Sequence, residues 1–219
     1  MRRERVNGAS VAGVLPSAVR VGLGGIAGFA AAVVFVFGVR YAGDGQPGGM
    51  DLRVRDVLGG VAGSWRDVAL ATDFLGEPVG AAALVVAAVA GCLLLRWPRA
   101  AVLVGVGVAA AVGTARLLKF LVGRTIHGDN LSYPSGHTAF LTAFALVVAL
   151  LLAGRLGLGR AAGVSFVFTA ALVAGAAMGW AQVVLGAHYP TDALGGWCTA
   201  MAVVPAVAWG VDRVADGRR

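Results

Sequence analysis

Charge is what this sequence has least of. Only 13% of its 219 residues are charged, about half the ~25% usual for a soluble domain, which excludes an ordinary water-soluble globule. Lysine is all but missing: Lys119 is the one lysine among 18 basic residues, and no basic run exceeds two residues. The net charge of +7 therefore does not describe a nucleic-acid-binding patch, and no nucleic-acid partner is expected. Cysteine is scarce too. Cys92 and Cys198 each lie in an uncharged apolar stretch; they make neither a disulfide framework nor a zinc spacing, and both are expected to pack as small hydrophobic side chains. What fills the chain is 58% apolar residues and 34 glycines, too much Val, Leu, Ile and Phe for disorder.

A bilayer-spanning helix needs roughly 20 mainly apolar residues. Five uncharged runs meet that need: 21–39, 78–95, 130–154, 161–187 and 193–211. A sixth, 100–115, becomes a full span by continuing past Arg116 to Lys119, which puts both cations at one membrane face. The fold class expected is all-α, a polytopic membrane protein with six transmembrane helices in one bundle, residues 1–219 forming a single membrane-embedded domain. Arg2, Arg3 and Arg5 precede the first run by about 15 residues, and the run itself is about 20 long, which suits an anchor better than a cleaved signal. With the N-terminus inside, the cytoplasmic segments sum to +8 and the outer ones to −1. The positive-inside rule then places both termini in the cytoplasm, residues 1–17 as a cytoplasmic tail, and the loops after helices 1, 3 and 5 outside a plasma (inner) membrane.

The first outer loop, 41–77, is too long for a turn. Val54, Leu58, Val61, Trp65 and Val68 recur at three- and four-residue spacing, which predicts an amphipathic helix on the outer interface; Gly59, Gly60 and Gly63 oppose it. Such a helix either covers the bundle or helps admit a lipid, with Trp65 facing lipid or core. Trp97, Trp197 and Trp209, near span ends, are expected to be interfacial anchors. Gly175, Ala176 and Gly179 are expected to let helices approach closely.

Polar residues at the ends of membrane spans are costly and mark function. Here they gather on the expected outer face: Lys119 and Arg124 after helix 3, Tyr133-Pro134-Ser135-Gly136-His137 opening helix 4, and His188-Tyr189-Pro190-Thr191-Asp192 joining helices 5 and 6. A helix beginning at Ser135-Gly136 points free N–H groups and a positive dipole end at an anion, and phosphate suits such a site. Ser135 adds a hydroxyl and Lys119 a point charge. In His188-x-x-x-Asp192 a carboxylate on one ring nitrogen leaves the other free to attack or to take a proton. Two histidines, His137 and His188, then flank one anion site, one as nucleophile and one as acid. The reaction implied is phosphoryl transfer through a phosphohistidine, with no metal and no cofactor.

These residues resemble the type 2 phosphatidic acid phosphatase superfamily, which also includes the vanadium haloperoxidases. Its signature reads K-x6-R-P, then P-S-G-H, then S-R-x5-H-x3-D. P-S-G-H is complete at Pro134 to His137, H-x3-D is complete at His188 and Asp192, and Lys119 matches the first lysine. The resemblance implies that His188 is the nucleophile, Asp192 its orienting partner and His137 the general acid. It implies further that Lys119, Ser135 and Gly136 bind the phosphoryl oxygens, within active-site loops at 124–136 and 186–192. Two departures stand out. Arg-Pro falls on Ile126-His127 and Ser-Arg on Ala181-Gln182, so both signature arginines are replaced. Arg124, His127 and Gln182 are the candidates to take over phosphate binding.

The partner expected is a lipid phosphate among membrane lipids: an isoprenoid carrier phosphate or diphosphate, phosphatidic acid or phosphatidylglycerol phosphate. Transfer to another acceptor, or a weakened lipid-phosphate-binding relative, are the alternatives. A metal site from His127, His137, His188, Asp129 and Asp192 matches no standard zinc spacing. A transporter would need charge at the midplane, which is nearly empty.

Overall fold

The computed structural model describes residues 13–58 and 64–217. Its helices are α1 (Ser17–Arg40), α2 (Gly49–Leu58), α3 (Ser64–Phe74), α4 (Pro78–Leu94), α5 (Pro98–Val102), α6 (Val108–Val122), α7 (Gly136–Arg155), α8 (Arg160–Val184) and α9 (Pro190–Gly217). A π-helical turn, Leu103–Gly107, fuses α5 to α6, so Pro98–Val122 is one helix of 25 residues. The short strands β1 (Thr125–Ile126) and β2 (Asn130–Leu131) pair antiparallel. Sequence sets these limits: Pro78 and Pro98 occupy first-turn positions where no N–H is needed, and Gly123 ends α6 in the left-handed conformation.

Five helices are long and apolar enough to span a bilayer: α1, Pro98–Val122, α7, α8 and α9. The remaining expected span, 78–95, is the second arm of a bent pair. The 17 residues of α4 cover only about 26 Å at 1.5 Å per residue, and α4 meets α3 at a 58° bend. Large apolar side chains point outward, among them Phe29, Phe35, Leu94 and Phe120. Such a surface is a liability in water and the ordinary outer face in lipid. The chain is a multi-pass membrane protein.

The amphipathic segment differs from expectation. In place of one helix through 54–68 there are two, α2 ending at Leu58 and α3 starting at Ser64. Val61, Gly59, Gly60 and Gly63 lie outside the described residues, as do Arg2, Arg3, Arg5 and most of the expected tail 1–17.

Trp197 is also not an interfacial anchor. Its Nε1 donates to the Ala171 carbonyl at 3.0 Å and its ring meets Phe168 edge-on, so it packs α9 against α8. Gly175 makes the room: a Cβ there would lie 2.2 Å from Trp197 Cδ1. Trp97 and Trp209 instead carry Arg155 and Arg213 over their rings. Trp65 stays mostly exposed while meeting Trp180 edge-on. Cys92 and Cys198 are free and buried.

Helix α9 packs on α1, α7 and α8. At its C-terminal end Asp212 accepts hydrogen bonds from the Val14 and Leu15 N–H groups at 2.9 and 3.0 Å, with Arg99 3.8 Å away. Asp212→Ala strands two buried donors, so we expect a loss of about 1–3 kcal/mol. Thermal unfolding in detergent measures it, and an unchanged midpoint would show that this tie contributes nothing.

Candidate active site

The first piece of the site is the start of α7. Ser135 caps it, its hydroxyl oxygen accepting from Thr138 N at 3.3 Å and Thr138 Oγ1 at 3.1 Å. The Ser135 N–H donates to the Asp192 carbonyl at 2.9 Å, and a Cβ at Gly196 would lie 2.3 Å from the Ser135 carbonyl oxygen. The beginnings of α7 and α9 thus touch backbone to backbone, which only glycine at 196 permits. Ser135 is fully buried, so its side chain caps the helix where phosphate contact was expected. Gly136 differs: a Cβ there meets nothing within 4 Å, and it supplies the first N–H of α7.

The second piece joins α8 to α9. His188 Nδ1 faces Asp192 Oδ2 at 3.6 Å, and the Tyr189 N–H donates to that same oxygen at 3.0 Å. The other oxygen, Oδ1, accepts from Arg124 at 2.7 Å. Arg124 also donates to Thr191 Oγ1 at 2.6 Å and to Asp51 Oδ2 at 2.8 Å, and its guanidinium lies over the rings of Tyr41 and Tyr189 at 3.9 and 4.5 Å. Thr191 gives both its N–H and its hydroxyl to Asp51 Oδ1.

Arg124 is therefore corrected. It is 0% exposed and holds the carboxylate behind His188; it does not face a ligand. Asp51 is a site residue the sequence reading missed. Burial raises its carboxyl pKa, but hydrogen bonds from Thr191, Arg124 and Gly48 outweigh that and hold it below the usual carboxylate value. Nothing in sequence marks Asp51, because its partner Thr191 is 140 positions away.

His188 is nearly buried. Burial pushes its pKa down, Asp192 opposes that, and Lys119 adds to it. Lys119 gives two hydrogen bonds to the Leu131 and Ser132 carbonyls at 2.8 and 3.2 Å, which leaves one of its three N–H donors for a ligand.

His137 projects from the first turn of α7 toward two acids that the sequence reading also missed, Asp73 at the end of α3 and Glu77 just before α4. Gln182 is corrected as well: it is buried and donates its amide to Asp73 Oδ1. His127 is exposed, with φ +50°, and donates from Nε2 to the Gly186 carbonyl at 2.9 Å. It ties the β1–β2 hairpin to the loop before His188. Ile126, at the first signature-arginine position, is buried in that hairpin.

Residues 122–215 match the PAP2 superfamily. No curated protein matches the chain. Among solved structures, a transmembrane PAP2-type phosphatidylglycerolphosphate phosphatase from Bacillus subtilis is similar, with 22% identity and a TM-score of 0.58. That match covers 83% of this chain and 94% of the other. The sequence match to the PAP2 superfamily thus spans residues 122–215, and over most of its length the chain shares the fold of that transmembrane phosphatase.

Proposed function

We propose that this protein is a membrane phosphatase that hydrolyses a lipid-linked phosphate or diphosphate. The observation that carries the reading is the pair His188–Asp192, with Asp192 fixed from behind by Arg124 and the Tyr189 N–H. With Nδ1 turned to Asp192, Nε2 is the atom free to attack. His188 Nε2 bonds to phosphorus while the bond to the lipid oxygen breaks, and His137 protonates that oxygen. Water then attacks the phosphohistidine and returns its proton to His137, and phosphate leaves. The Gly136 and His137 N–H groups and Lys119 hold the phosphoryl oxygens. Arg124, Asp51 and Asp192 together leave one negative charge, which favours the positive charge that grows on His188.

An apolar cavity of about 470 Å³ lies among α1, α6 and α9, lined by Val34, Phe35, Leu118, Leu121, Val122 and Val203. Leu118, Leu121 and Val122 belong to the C-terminal turns of α6 that also carry Lys119, and we assign this cavity to the lipid tail. Isoprenoid carrier phosphates, phosphatidic acid and phosphatidylglycerol phosphate are the substrates considered, with the site on the outer side of a plasma membrane. Phosphate release across a panel of lipid mono- and diphosphates tests the reading. Release from at least one, above the background of a variant at position 188, is expected; none from any would sink it.

A further inference from the structure

Asp73 Oδ1 and Glu77 Oε1 stand 3.7 and 3.6 Å from the same atom, His137 Nε2. Both separations are too long for a hydrogen bond, and His137 Nε2 has no hydrogen-bond partner among the described residues. They are close to the edge of a coordination tetrahedron, about 3.4 Å when ligand atoms lie ~2.1 Å from one ion. All three ligand atoms lie within 4.8 Å of one another. We propose that Asp73, Glu77 and His137 form a divalent-cation site of one imidazole and two carboxylates, a donor set that suits Zn²⁺.

The surroundings support the ligands. The Gly76 and Glu77 N–H groups donate to the Asp73 carbonyl at 2.8 and 3.2 Å, which fixes the turn carrying both acids. A Cβ at Gly76 would lie 2.5 Å from His137 Cδ2, so the backbone of that turn is pressed against the imidazole. Gln182 donates to Asp73, the outer hydrogen bond that orients a ligating carboxylate. An arginine at 182, as in the signature, would neutralise Asp73; glutamine orients it and leaves its charge to a cation.

Charge points the same way. Asp73 and Glu77 bring two carboxylates to the same imidazole nitrogen with no arginine or lysine paired to either among the described residues, and a divalent ion cancels both charges.

This inference goes beyond the proposed hydrolysis. Nε2 of His137 cannot hold a cation and a proton together, so the loaded protein cannot protonate a leaving oxygen, and Zn²⁺ is an inhibitor of the proposed reaction. The test is calorimetric titration of tag-free protein in nanodiscs with Zn²⁺. One ion per chain is expected, with Asp73→Asn and Glu77→Gln each weakening binding about 10–100-fold and His127→Ala binding as wild type. Both acid variants are nearly isosteric at partly exposed positions, and gel filtration checks that they remain folded. Wild-type release of phosphate should fall on adding Zn²⁺, and release by folded Asp73→Asn should not fall at the same concentration. No binding, or wild-type affinity in both acid variants, overturns the site. Binding by a protein that releases no phosphate from any lipid leaves the site standing and overturns the hydrolysis.

Discussion

Arg124→Ala is expected to cost about 3–5 kcal/mol of stability and to abolish phosphate release with it, because it leaves two buried carboxylates facing each other without a cation. Asp51 and Asp192 are both 0% exposed, and Arg124 supplies each with its ion pair, at 2.8 and 2.7 Å. Neither acid has water to fall back on. The change also empties a full guanidinium volume between Tyr41 and Tyr189, which adds lost packing. Arg124→Lys should recover only part of the loss, since an ammonium keeps the charge but cannot fork to Asp51, Thr191 and Asp192 at once. Thermal unfolding of the three proteins in the same detergent measures the series. The double variant Arg124→Ala with Asp51→Asn should be less destabilised than the sum of the single changes, because the second removes a charge the first has stranded. A wild-type midpoint for Arg124→Ala would mean the buried triad is not what holds α9 to the loop after α6.

The bundle was legible because membrane spans need only local composition: apolar runs and their flanking cations give the segments. His137, His188 and Asp192 stand out as candidates because each sits at fixed spacing inside a short motif, and the structure sets His188 beside Asp192. What escaped reading depends on partners far apart in the chain. Asp51 looked like one of several outer-loop acids, and only the meeting of α2 with α9 buries it against Thr191 and Arg124. Asp73 and Glu77 were counted as loop charges, yet the bend between α3 and α4 delivers both to His137. Arg124 was expected to replace a lost phosphate ligand because its charge suited the task, but charge says nothing of burial. Its side chain lies under the loop, and its hydrogen bonds go to the protein. Trp197 was misplaced for a related reason: nearness to a span end was read as nearness to the interface, whereas Gly175 on α8 makes a slot that draws the ring inward.

His188→Ala is expected to lower phosphate release by at least about 10⁴-fold, since it removes the atom that would carry the phosphoryl group and no other imidazole stands against Asp192. The pH profile tests the same assignment without a substitution. The attacking imidazole must be neutral. Burial holds the His188 pKa below the ordinary 6.5, against the raising effect of Asp192 and together with the lowering effect of Lys119, so the acid limb of kcat/KM assigned to it should lie below pH 6.5. Stability follows the same linkage. Between the depressed folded value and 6.5 the unfolded chain holds a proton on this residue that the folded chain does not, so stability rises with pH through that window. The contribution is complete above 6.5 and lost as pH falls through the folded value. Replacing His188 should therefore flatten the acid side of the unfolding midpoint as well as erase activity. An acid limb above 6.5 that persists in the His137→Ala variant would mean a charged imidazole at neutral pH, and His188 would no longer serve as the nucleophile.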